Sequence, residues 1–267
     1  MTDSWYKLFT MASAQKSSGK SIIATVLVVL LAIIAIVVVA EVTLRSVMKN
    51  SIASRFQEIA SSRGVANPPE PEVSFPSGLV LPSLVTKNVE AMTIDTPNTL
   101  QIDNAAALSG PPSIVGDPAA LVQLSGVNVE NREDPVAEQA IITVILPPEL
   151  LQALANRNQG LRLNEVRPQP DSNTFAVELD SGFAGATLRP IAQGSQLQLK
   201  IEGASVLGLD LGGLADLIGQ ATSGLTTVNI PDGLEVQDAS VTEEGLRLEL
   251  HGRQIPLSTI ANLHFDQ

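Results

Sequence analysis

The chain has 267 residues, no cysteine, 3 % aromatic residues and a formal charge of −12. Without cysteine there is no disulfide framework, thiolate metal site or cysteine nucleophile. The negative field repels phosphate backbones and so argues against nucleic acid as a partner. The charge is uneven: residues 1–21 and 41–64 each carry a net +2, whereas from Val65 onward nine basic residues face twenty-five acidic ones. Trp5 and Tyr6, the only Trp and Tyr, lie near the start, so stacking platforms for bases or sugars are scarce beyond them. An apolar surface in the remainder must be built from Leu, Ile and Val.

Residues 1–21 read as a polar cytoplasmic tail. Its Ser13-x-x-Lys16 and Ser17-x-x-Lys20 have a nucleophile spacing but no fold around them to preorganise it. Residues 22–40 follow as the organising stretch, nineteen residues without a charge. As a helix they would span roughly 28 Å, near the hydrocarbon thickness of a bilayer. Two readings fit, a retained transmembrane anchor and the core of a long signal peptide, and the length favours the anchor. Lys7, Lys16 and Lys20 before it balance Arg45, Lys49 and Arg55 after it, so the positive-inside count is tied. A single-pass arrangement with the C-terminal body on the periplasmic, extracytoplasmic side is expected, because a lone N-terminal span usually serves export.

Residues 41–64 become amphipathic, with Leu44, Met48, Ile52, Phe56 and Ile59 recurring every three or four positions. The stripe packs on the following domain or walls a lipid site, and the two roles overlap. The run Asn67-Pro68-Pro69-Glu70-Pro71 is expected to stop the helix and force extended chain.

Residues 65–267 are expected to form the exported domain. Nearly every segment alternates: 86–96, 99–103, 121–129, 139–146, 161–167, 175–179, 184–191 and 197–206 read as strands between Gly, Pro, Asn or Asp punctuation. Leu197, Leu199 and Ile201 face one way and Gln198, Lys200 and Glu202 the other, which predicts a sheet with one dry face. Residues 140–146 are apolar on both faces apart from Thr143, as in a strand covered twice or paired centrally. Pro147-Pro148-Glu149 opens a predicted helix to about Asn156, burying Leu150, Leu151 and Leu154. A second helix is predicted over 211–222 behind Asp210, with Leu211, Leu214, Ile218 and Ala221 on one face. The chain closes with a hairpin, 234–241 and 246–251, whose first strand changes apolar phase between Val236 and Val241, predicting a bulge. Four Gly-Leu-x-Leu or Gly-Leu-x-Val tetrapeptides start at Gly78, Gly160, Gly233 and Gly245, each read as a glycine ending a turn before a strand.

Catalytic signals are absent from the pattern. His251 alternates with Arg247 and Glu249 on a polar strand face, His264 lies near the C-terminus, and the two form no metal-binding spacing. There is no nucleophile elbow, phosphate loop or dinucleotide fingerprint. The reading is a non-enzyme with no cofactor and no metal.

The apolar N-terminal segment, the helix entering a long meander, the Pro-Pro-Glu-Leu-Leu helix, and the C-terminal runs 230–234, 241–248 and 252–257 together resemble the LmeA-like phospholipid-binding proteins of actinobacterial envelopes. The resemblance covers about residues 41–257. It implies an α+β, tubular lipid-binding-like fold, in which a highly curved antiparallel β-sheet wraps a long helix and leaves an apolar groove. It also implies phospholipid binding at the membrane in the periplasmic space, in support of lipomannan-type glycolipid assembly. Periodicity then nominates the groove wall: Met48, Ile52, Phe56, Ile59, Leu79, Leu81, Leu84, Ile142, Val144, Leu146, Leu151, Leu154, Leu199, Ile201, Leu214 and Ile218. Arg45, Lys49 and Arg55 are nominated to meet anionic headgroups. The alternative is a non-enzymatic scaffold that stabilises an envelope glycosyltransferase without bound lipid.

Overall fold

The computed structural model describes the backbone of residues 19–76, 78–103, 112–131, 133–157, 163–179, 184–206, 209–210 and 227–263, and side chains over these ranges from 28 onward except 206, 209–210 and 227–229. The predicted helix over 211–222, with Leu214 and Ile218, lies outside the described residues, as do Gly160 and His264.

The protein is α+β, with one long apolar N-terminal helix and curved antiparallel sheets. The chain divides between Thr43 and Leu44 into two units. Helix α1, Gly19–Ser62, runs through that division. In the first unit its side chains from Val28 to Val39 are all apolar and exposed, and the helix is long and apolar enough to cross a membrane.

Within the second unit, Leu44, Met48 and Ile52 of α1 are half-buried against the sheet core, as the 3–4 spacing predicts. The helix ends earlier than the proline run, and for a different reason. Gly64 takes φ +88°, Val65 N–H donates to Ala60 O at 3.0 Å and Gly64 N–H to Ser61 O at 3.0 Å. This is a Schellman cap, with Ala60 and Val65 both buried as its apolar contact.

Strand β1, Glu72–Ser74, pairs with β2, Asn88–Thr96. Between them lies a short helix α2, Ser83–Thr86, absent from the sequence reading. The strand expected from residue 86 therefore starts later, because Lys87 closes α2 in the left-handed region at φ +53°. Gly78 has positive φ as a turn glycine, yet it leads to this turn and helix rather than to a strand. Pro82 follows four residues after Gly78, leaving no room for a ladder.

The next elements are β3, Gln101–Asp103, β4, Ser113–Val115, β5, Ala120–Asn128, and β6, Val136–Leu146. Helix α3, Pro148–Arg157, leads to β7, Leu163–Gln169, and β8, Thr174–Leu179. Then come β9, Ala184–Gln193, β10, Gln196–Val206, β11, Leu209–Asp210, β12, Thr227–Asn229, β13, Leu234–Thr242, β14, Gly245–Pro256, and α4, Leu257–Ala261. One six-stranded sheet has the order β1-β2-β5-β6-β14-β13. A second runs β11-β10-β9-β8-β7, with β12 also on β10, and β3-β4 form a small ribbon.

The doubly apolar strand β6 is indeed central, hydrogen-bonded to β5 and β14 along its length. The register shift expected in β13 falls between Val236 and Asp238, where one extra residue bends the strand. The two large sheets are stitched at this bend. Val236 N–H donates to Gly194 O at 2.7 Å, Ile230 N–H to Ser195 O at 2.9 Å, and Val241 N–H to the Asn173 side-chain oxygen at 2.6 Å.

Candidate functional site: an elongated aliphatic interior

The two sheets bury two apolar clusters. The first contains Val144 and Leu146 of β6, Leu246 and Leu248 of β14, Leu150 and Leu151 of α3, and Phe175, Val177, Leu188 and Leu197 of the second sheet. The second contains Ala137, Ala140 and Ile142 of β6, Leu250 and Ile255 of β14, Met92, Leu124, Val73 and Phe75, with Leu44, Met48 and Ile52 packed against it.

The same two strands run through both clusters. Alternate residues of β6 from Ala140 to Leu146 and of β14 from Leu246 to Leu250 are at most 1 % exposed. Period-two alternation puts each set on one face, so the clusters are successive stretches of one inner surface. From Ala140 to Leu146 that surface spans six residue steps, about 20 Å at strand rise. A single acyl chain fills only about half of the roughly 30 Å bilayer hydrocarbon, so the face is long enough to lie along one. Its chemistry is aliphatic: Leu, Ile, Val and Ala dominate, and Phe75, Phe175 and Met92 are the other large side chains in it.

Helix α3 covers the end of the first cluster, and polar side chains fix it there. Gln152 donates to the carbonyls of Leu163 at 3.0 Å and Asn164 at 2.7 Å, while Asn156 both donates to Leu163 O at 3.0 Å and accepts from Leu163 N–H at 2.7 Å. Leu150, Leu151, Ala153 and Ala155 are thereby turned inward. At the other cluster, α4 is capped from a distant loop: Asp134 accepts from Ser258 N–H at 3.0 Å and Ser258 Oγ at 2.9 Å. Leu257 and Ile260 then pack onto the second cluster. The sequence reading contained neither α4 nor this cap, although Pro256 followed by Ser258 is a usable start signal.

The nominated wall residues fall in different places. Val144, Leu146 and Leu151 belong to the first cluster, with Leu154 and Ile201 against it. Ile142 belongs to the second, with Met48 and Ile52 against it. Leu199 is buried, and Phe56, Ile59 and Leu81 are half-buried. Leu79 and Leu84 stand at the surface, 64 % and 62 % exposed, outside both clusters.

The nominated headgroup cations also differ among themselves. Arg45 donates to Gly78 O and lies 5.9 Å from the centre of the Phe75 ring, within cation–π range. Arg55 donates to Glu133 O at 3.4 Å, and Lys49 is exposed. His251 does share its strand face with Arg247 and Glu249, and Glu249 lies 2.8 Å from the imidazole and 3.5 Å from the guanidinium.

On the second sheet, Arg189 and Glu202 face each other across β9 and β10 at 2.9 Å, and this contact holds the Glu202 carboxyl below its ordinary range and the guanidinium above its own. Lys87 lowers Glu130 in the same way, and Arg167 lowers Glu165. All three pairs lie at the surface, outside both apolar clusters.

Comparison with curated proteins and with solved structures finds no match. The model of one protein family, described as LmeA-like phospholipid-binding, matches residues 38–251 of the 267. That span takes in the Leu44–Ile52 stripe, the whole of β6, the inward residues of β14 as far as Leu250, and α3. The chain therefore belongs to the LmeA-like phospholipid-binding family.

Proposed function

We propose that this protein is a single-pass, membrane-anchored lipid carrier whose Leu44–Gln267 unit works on the periplasmic side, taking up phospholipid acyl chains along the inner faces of β6 and β14. The observation that carries the reading is the match of a phospholipid-binding family over nearly the whole of that unit. The aliphatic interior supports it, because apolar side chains hold hydrocarbon without demanding a particular headgroup. Burying a 16-carbon chain would contribute on the order of 12 kcal/mol at about 0.8 per methylene, before ordering costs. That is ample for holding a lipid outside the bilayer.

In this reading Met48, Ile52, Ile142, Val144, Leu146, Leu151, Leu154 and Ile201 wall the site, and Arg45, Lys49 and Arg55 face anionic headgroups. The carried lipid supports assembly of lipomannan-type envelope glycolipids. The N-terminal tail stays in the cytoplasm.

The test uses the full chain in nanodiscs containing a phospholipid with a diazirine on its acyl chain. Illumination followed by peptide mapping should place adducts on β6 and β14, in peptides containing Val144 or Leu248. Adducts confined to α1 and other membrane-facing segments would leave the interior without lipid. Co-purification of an envelope glycosyltransferase under that outcome would move the assignment to a scaffold.

A further inference from the structure

The segment linking β1 to β2 is unlike the rest of the second unit. Residues 75–89 contain no Asp or Glu, although residues 65–267 carry twenty-five acidic side chains. Leu79, Leu84 and Val85 stand out from it at 64 %, 62 % and 87 % exposure. Outside α1, no other Leu, Ile, Val, Met or Phe is exposed among the described residues. Three bare aliphatics within seven residues of an acid-free segment mark a contact site rather than ordinary surface scatter.

What they contact follows from where the segment is tied. Arg45 donates to Gly78 O and stacks over Phe75, fixing the base of the segment to α1. Arg45 is five residues along the chain from Ala40, the last residue of the apolar run. Five residues reach at most about 18 Å even when fully extended, so the base of the segment stays close to the bilayer that holds that run. Lys87 stands exposed within it, sharing its charge with Glu130 at 2.8 Å, and exposed Lys49 lies one helical turn from Arg45 on α1. Cations beside bare aliphatics match an anionic headgroup layer over hydrocarbon.

We propose that Leu79, Leu84 and Val85 form a wedge that enters the hydrocarbon edge of the bilayer anchoring the chain, seating the second unit on the membrane surface. The proposal rests on the anchor reading, and it is independent of whether lipid occupies the interior.

Because the protein has no cysteine, Val85→Cys and Leu84→Cys each accept a single environment-sensitive fluorophore. The labelled full chain is placed in nanodiscs of phosphatidylcholine and phosphatidylglycerol, with or without bromine on the acyl chains. A label at Asp171→Cys, exposed on a turn of the second sheet, serves as reference, and thermal melts confirm that each variant is folded. Emission from positions 84 and 85 should shift to the blue and be quenched by brominated lipid, while position 171 does neither. Emission matching position 171 overturns the wedge. A blue shift that brominated lipid fails to quench also overturns it, since a second copy or another protein then covers the site. Acyl-chain adducts in the interior are read separately, so failure here leaves the carrier reading standing.

Discussion

Arg63 holds Asp117 and the carbonyl of Ala261 at once, its Nη1 donating to the carboxylate and its Nη2 to the carbonyl at 2.9 Å. Three distant parts of the chain meet there: the end of α1, the loop before β5, and α4. The pair is mostly sheltered, with side-chain exposures of 19 % and 29 %. Hydrogen bonds to charged groups are each worth about 1.5–3 kcal/mol. Arg63→Ala is therefore expected to lower unfolding stability by about 2–3 kcal/mol, with Arg63→Lys falling between. Denaturant unfolding in detergent micelles measures it; a loss no larger than that of an exposed-surface control would show that the junction contributes little.

Gly245 and Gly78 both have positive φ, at +137° and +95°, but their surroundings differ. A Cβ at Gly245 would lie 2.2 Å from Leu146 O, in the backbone of central β6, whereas one at Gly78 meets nothing within 4 Å. Gly78→Ala should cost only backbone strain, about 1 kcal/mol. Gly245→Ala adds an unavoidable clash with main chain and should cost at least about 3 kcal/mol. Equal shifts in the two melting curves would contradict this.

Both glycines carry the same Gly-Leu-x-Leu signature, which shows how far the sequence was legible. Period-two alternation located most strands, and the broken phase after Val236 located the bulge, because both are local. The four-residue α2 was not legible: Pro82 and Ser83 start it and Lys87 ends it within less than two turns, too short for any periodicity. Of α4 only the start signal at Pro256 and Ser258 is local, since its cap Asp134 lies 124 residues from Ser258. Alternation also says which face a side chain takes but not how far along the sheet it sits. Ile142 and Val144 are successive inward residues of β6, yet they serve different clusters. The wall residues could be named from sequence only as faces. Leu79 and Leu84 read in sequence like the buried aliphatics, although they stand at the surface, because nothing local distinguishes an apolar turn from an apolar strand.

Leu248 and Leu250 test whether the two clusters form one cooperative interior. Each is fully buried, Leu248 in the first cluster and Leu250 in the second. Truncation to Ala should cost about 2–5 kcal/mol at either position. If the clusters are successive stretches of one surface, both variants should unfold in a single transition. Two separated transitions in Leu248→Ala would show that the clusters are independent cores.

Acid should weaken the second sheet through Glu202. The hydrogen bond from Arg189 lowers its folded pKa below the ordinary 4.5. A depressed folded value contributes stability that is fully present above the ordinary pKa and is lost as pH falls through the folded value. Glu202→Gln should thus lower the melting temperature slightly at neutral pH, with the difference from the parent closing well below pH 4.5. The side chains are 36 % and 37 % exposed, so the effect is small and high salt should shrink it. A difference that widens on acidification would reverse the sign and remove the ion pair as its cause.

Arg45 is the residue through which the segment before β2 is joined to α1, and its replacement should loosen that segment selectively. The guanidinium supplies both a fork of donors for Gly78 O and a flat cation for the Phe75 ring, and a lysine ammonium matches neither geometry as well. Amide hydrogen exchange of the full chain in nanodiscs should therefore speed up over residues 79–86 in Arg45→Ala, and to a lesser degree in Arg45→Lys. Exchange along β6 and β14 should stay unchanged, because their ladders do not pass through the segment. Uniform acceleration across the unit would mean that Arg45 stabilises the whole fold. No change over 79–86 would mean that the segment is held by its own turn and by α2.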